Sequence, residues 1–303
     1  MMAINKNRFK GFAFVMLAAF VYGLQGVLAR SVLVAGVAPI VMTGIKLLSG
    51  LVTVAILVIV LRKKLHFDKK DLPHWIVFGV VGGTLFALTL INSYNILGAS
   101  QGVIYMYTAP AFTVLIAHFY LKEIITRAKL IAVILVIAGT VSVAVGAIGS
   151  SFSFNLVGFL FGISSGITYA VFSVMGKKLS RKYDSWSVNF FYILIATLAI
   201  APAFPFFDWG ILLGQDIKLL LLICLYGFLV YGVGNYFFMK SMNYLEAGEV
   251  MIFANTEPVI GLVLAAIILN ERLMPLQIAG FIFILVAIFL IAKSDKSYVS
   301  LEG

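Results

Sequence analysis

Two charged residues stand inside apolar runs. Lys46 lies well within the run that opens after Pro39, and Glu257 sits near the middle of another, directly before Pro258. At bilayer depth such a charge costs a few kcal/mol unless it is paired or hydrated, so an intramembrane Lys or Glu marks a site. Lys46 suits a substrate carboxylate, or a pair with Glu257; the plainer role is a structural ion pair with its stem in apolar packing. Pro258 removes a backbone donor and loosens the helix around residue 254. A carboxyl group beside that opened turn suits an amine, a cation or a proton, or else caps the freed backbone.

Other polar positions within apolar runs fit a cavity wall: Tyr22, Gln25, Asn92, Gln101, Tyr105, Tyr107, Tyr169, Asn189, Tyr231 and Asn235. Any one alone is more often an interhelical hydrogen bond. The set predicted to bind substrate is Lys46, Glu257, Tyr22, Tyr169, Asn92, Tyr105 and Asn235. Glu246 reads as a favourable first-turn acid, and Glu249 as either that or a residue at the cavity mouth. Glu123 and Glu271 read as ties across a tight turn to the next helix. Trp75, Trp186 and Trp209 read as interface anchors. The glycines at 158, 162 and 166 form a small-xxx-small face for close helix packing.

The elements that hold these residues repeat. Asn95–Glu123 laid over Asn243–Glu271 gives nine identities in 29 positions, including Ala99/Ala247, Thr108/Thr256 and Pro110/Pro258. Gly11, Phe14 and Tyr22 likewise match Gly158, Phe161 and Tyr169. A long internal repeat in a membrane chain suggests a transporter built from two related halves.

Composition sets the solvent. The chain is 62% hydrophobic and 11% charged, whereas a soluble domain is about 25% charged. Ten apolar segments, near 9–29, 38–61, 73–94, 99–121, 128–147, 155–175, 186–205, 217–240, 247–269 and 275–292, are long enough to span as helices. The net charge of +10 gathers in short loops, as the positive-inside rule requires, so nucleic acid is not an expected partner. With the N-terminus inside, 18 Lys and Arg fall on the cytoplasmic side and 3 outside. The lone Cys224 forms no internal disulfide, and no phosphate loop, nucleophile elbow or zinc pattern occurs. No enzyme and no cofactor are expected, and uphill transport would draw on a gradient.

Five spans per half is odd, so the second half enters the membrane from the opposite side. The predicted fold is an all-α membrane protein of ten transmembrane helices as two inverted five-helix repeats, 1–147 and 148–303. In each half the fourth span carries a central Pro and ends in Glu, PAFTVLIAHFYLKE and PVIGLVLAAIILNE, and the last span holds Gly139 or Gly280. On these features the chain resembles a bacterial drug/metabolite transporter of the EamA type. That resemblance implies a central cavity and a secondary transporter exporting small metabolites. It places the chain in the bacterial plasma membrane with both termini cytoplasmic. Lys46 stands where that family often has Arg. Because Lys46 and Glu257 offer both signs of charge, amino acids or related amines are the expected solutes. A proton would be the coupling ion through Glu257, and a monomer is expected, since both halves of the site lie in one chain. The alternatives are import of a similar solute and a non-transporting membrane partner.

Overall fold

The computed structural model describes residues 6–25, 28, 32, 35–148, 154–206, 217–261, 263 and 274–294, and all regular structure among them is helical. In chain order these are α1 (Lys6–Gly23), α2 (Pro39–Val60), α3 (Leu72–Ile76), a π-helical stretch (Val77–Leu85), α4 (Phe86–Leu97), α5 (Ala99–Met106), α6 (Ala109–Leu121) and α7 (Arg127–Ile148). Then come α8 (Leu156–Ser180), α9 (Ser185–Ile200), α10 (Ile217–Gly227), a second π-helical stretch (Phe228–Gly234), α11 (Asn235–Ser241), α12 (Ala247–Ala254) and α13 (Pro275–Ser294). Residues 257–261 are helical again after α12.

Seven helical segments among the described residues are long and apolar enough to cross a membrane. They correspond to seven of the ten expected segments. Segment 128–147 is helical within α7, and segments 9–29 and 247–269 run into residues outside those described. Large apolar side chains cover the outside: Phe119 is 79% exposed and Ile59 73%. Such a surface is an aggregation hazard in water and the solvated face in lipid.

Pro258 acts as the sequence predicts, and its repeat partner Pro110 does the same. The helix breaks at residues 107–108 before Pro110 and at 255–256 before Pro258, where each proline lacks the N–H for its turn. The repeated threonines mend both breaks alike. Thr108 Oγ donates to the Tyr105 carbonyl at 2.6 Å, and Thr256 Oγ to the Phe253 carbonyl at 2.9 Å.

The π-helical stretches are not foreseen by the sequence, and each lies in the third segment of its half. A π turn moves carbonyls off their usual partners. Here α9 takes up one from each stretch: Tyr192 OH donates to Gly82 O at 3.4 Å, and Asn189 Nδ2 to Tyr231 O at 3.1 Å. At the periphery α7 packs along α13. Their glycines meet there: a Cβ on Gly139 would lie 2.7 Å from the Gly280 carbonyl oxygen.

Trp75 corrects one expectation. It is fully buried and packs on Tyr183 at 5.1 Å and Phe191 at 5.5 Å, so it belongs to the core. Trp209 lies outside the described residues.

Candidate functional site

A small chamber of about 20 Å³ lies among α1, α2, α4, α8 and the second π-helical stretch, with Tyr22, Gln25, Lys46, Tyr169, Tyr231 and Asn235 among its lining residues. Phe86, Phe172 and Tyr192 add aromatic wall. A volume near 15 Å³ admits one water, so a metabolite enters only when the helices move apart.

Lys46 is 2% exposed and makes no ion pair among the described residues. Its ammonium lies 4.6 Å from the Tyr226 ring centroid and 5.4 Å from that of Tyr231. These cation–π contacts return roughly 0.5–2 kcal/mol each, against a burial cost of about 2.5–3.5 kcal/mol. The π geometry makes the double contact. Five α-helical residues overshoot one turn by roughly 140°, whereas i→i+5 winding brings the fifth residue back towards the first. Gly227 allows the approach, since a Cβ there would overlap Ser49 Oγ and the Lys46 carbonyl.

Across the chamber, Tyr22 OH donates to Asn235 Oδ1 at 2.6 Å. The buried Asn235 Nδ2 makes no hydrogen bond within 3.5 Å among the described residues, and Tyr192 OH is its neighbour in the chamber wall. Tyr169 stacks on Phe86 at 4.7 Å and 12°. Glu257 is buried one step behind the wall, where its Oε1 accepts from Gln25 Nε2 at 2.6 Å. Tyr226 OH reaches Gln25 Oε1 at 3.5 Å.

Of the seven predicted site residues, four therefore share one chamber: Tyr22, Lys46, Tyr169 and Asn235. Glu257 attaches through Gln25. The anticipated Lys46–Glu257 pair is absent among the described residues, because Gln25 and Tyr226 stand between the charges. Asn92 and Tyr105 do not line the chamber. Asn92 Nδ2 donates to its own helix at Leu88 O, 2.8 Å away. Tyr105 fills the dent over Gly162 and meets Phe159 edge-on at 5.1 Å, so the expected glycine face of α8 serves packing there. Sequence reasoning missed Tyr226, Tyr192 and Phe86, which read as ordinary core aromatics in apolar segments.

The face that carries the basic loops is tied shut. Arg8 on α1 pairs with Glu249 on α12 at 2.5 Å, and Lys129 pairs with Glu246. Lys177 donates to the carbonyls of Met242 and Leu245, each at 2.6 Å. Glu246 and Glu249 form a capping box at the start of α12, as their first-turn placement predicts. Glu123 departs from its predicted role. It accepts from the backbone N–H groups of Ala247 at 2.9 Å and Gly248 at 3.4 Å, so it caps a helix of the other half instead of tying a local turn. Glu271 lies outside the described residues. Glu123→Ala removes that cap and its favourable dipole contact and is expected to lower stability by about 1–3 kcal/mol. An unchanged thermal unfolding midpoint in detergent would show that the cap contributes nothing.

Fold and site together define a multi-pass helical membrane protein with a small polar chamber in its interior. The model of the EamA-like transporter family matches residues 9–145 and 156–293, and the chain belongs to that family. It is similar to an uncharacterized transporter of Clostridium kluyveri, 24% identical over 298 residues and covering 95% of this chain and 94% of that one. The Pseudopaline exporter CntI of Pseudomonas aeruginosa is 23% identical over 260 residues, covering 82% and 84%. A solved crystal structure shares the fold, with a TM-score of 0.76 at 18% identity over 95% of this chain and 99% of that one. The family and these relatives are transporters, not enzymes.

Proposed function

We propose that this chain is a secondary transporter that exports small metabolites such as amino acids or related amines by alternating access through the chamber. One observation carries the reading: Lys46 and Asn235 line the same small chamber, and Lys46 has no carboxylate partner among the described residues. Both offer a buried donor to an anionic group that a solute would bring. Tyr22, Tyr169 and Phe86 offer an aromatic wall to a cationic or apolar remainder. Glu257, behind Gln25, supplies the opposite sign and is the proposed proton carrier.

The proposed architecture has ten spans in two inverted units, 1–147 and 148–303. The twofold family match and the paired helix breaks before Pro110 and Pro258 support it. The proposed location is the bacterial plasma membrane, as a monomer with both termini and the basic loops cytoplasmic. The charge distribution supports that orientation. Family resemblance and one relative named as an exporter support the direction.

The test is thermal unfolding of the detergent-purified protein with amino acids, amines, nucleosides, carboxylates and cationic drugs. A ligand at 100 times its Kd is expected to stabilise the fold by about 2.7 kcal/mol. Amino acids or amines should shift the midpoint and show saturable counterflow in liposomes. A shift from another class alone reassigns the substrate. No shift at millimolar concentrations, together with no counterflow, favours the non-transporting partner.

A further inference from the structure

A second concavity, of about 430 Å³, lies on the basic face away from the chamber. Lys63 and Lys64 reach it from just beyond α2, Trp186 from the first turn of α9, and Tyr236 and Lys240 from α11. Trp186 and Tyr236 pack ring to ring at 4.3 Å.

The charges around it do not cancel. Lys182 is engaged by Asp68 at 2.9 Å and Asp71 at 2.8 Å, and its hydrogen bond holds the Asp68 carboxyl below its ordinary range. Asp184 is engaged in capping α9, accepting from Trp186 N at 2.9 Å, Ser187 N at 3.2 Å and Ser187 Oγ at 2.6 Å. Lys63, Lys64 and Lys240 have no ion pair among the described residues. Four lysines thus face three aspartates, and the excess positive charge lies with Lys63, Lys64 and Lys240 around the recess.

Exposed apolar side chains directly precede its first lysines in the chain. Ile59 and Val60, in the last turn of α2 before Lys63, are 73% and 68% exposed. A Trp–Tyr pair at a helix end is typical of the membrane boundary, and basic recesses between spans on such a face suit lipid headgroups.

We propose that this recess binds the phosphate headgroup of an anionic phospholipid, with Lys63, Lys64 and Lys240 around the phosphate and an acyl chain over Ile59 and Val60. A free phosphate shares the headgroup's charge but gains nothing from these apolar side chains. A bound lipid would bridge α2 to α9 and α11, elements from different halves of the chain.

The experiment titrates detergent-purified protein with short-chain phosphatidylglycerol, with phosphatidylcholine of the same chains, and with inorganic phosphate, reading the unfolding midpoint. Phosphatidylglycerol alone should stabilise the wild type. Lys63→Gln/Lys64→Gln/Lys240→Gln should weaken its apparent affinity about 100-fold, or roughly fivefold per lysine. Lys240→Gln by itself should give about fivefold and serves should the triple variant fail to fold. Lys69→Gln/Lys70→Gln, on the same face outside the recess, should leave the affinity unchanged. Equal stabilisation by phosphatidylcholine, or equal losses in the Lys69/Lys70 variant, would overturn the site. A response to inorganic phosphate matching that to phosphatidylglycerol would overturn the lipid as its occupant.

Discussion

Lys46→Met is expected to cut transport about 100-fold while leaving the folded protein about as hard to unfold. Methionine has nearly the length of lysine and fills irregular apolar space. It removes a buried charge that costs about 2.5–3.5 kcal/mol. It also forfeits the contacts to Tyr226 and Tyr231, worth roughly 0.5–2 kcal/mol each. The two sums, about 3 against about 2.5 kcal/mol at their midpoints, nearly cancel. Transport should fall about 100-fold, because a charge-assisted contact to a buried anionic group is worth about 3 kcal/mol. Counterflow should therefore fall while the midpoint, measured on the same preparation, holds. A structural lysine would lower both together, and that outcome would sink its assignment to the substrate.

Glu257→Gln is expected to separate binding from energy coupling. The introduced amide keeps an Oε1 that can accept from Gln25 Nε2, as the Glu257 carboxylate does now at 2.6 Å, so the fold and the chamber should persist. What disappears is a group that gains and loses a proton. If one proton is exchanged per solute, a gradient of one pH unit supports about tenfold accumulation. In liposomes the variant's accumulation ratio should collapse to about 1, while counterflow without a gradient continues and no longer varies with pH. Accumulation as large and as pH-dependent as in the wild type would remove Glu257 from the coupling role.

The bilayer explains which features could be read early. Lipid makes every charged residue costly, so Lys46 and Glu257 stand out against their apolar runs. Proline acts on its own turn, so the repeated Pro110 and Pro258 announce both helix breaks. Tyr22 and Tyr169 are marked by the repeat, and both line the chamber.

Asn92 and Tyr105 show where such reading stops. A polar side chain in a span turns towards a cavity or a neighbour according to the phase of its helix. Here Asn92 turns to the Leu88 carbonyl and Tyr105 to Gly162. Glu123 finds its backbone partner at Ala247, 124 positions later, which no local pattern records. The π-helical stretches are likewise a matter of packing, since Asn189 and Tyr192 of α9 receive the displaced carbonyls.

Composition, charge and repeat thus dictate a membrane chain with breaks at Pro110 and Pro258, because these follow from solvent and from single turns. The separation of Lys46 from Glu257 by Gln25 and Tyr226 arises from winding and close approach between distant segments. It depends on a glycine at position 227 and a π turn beside it, and those act only once the helices are packed together.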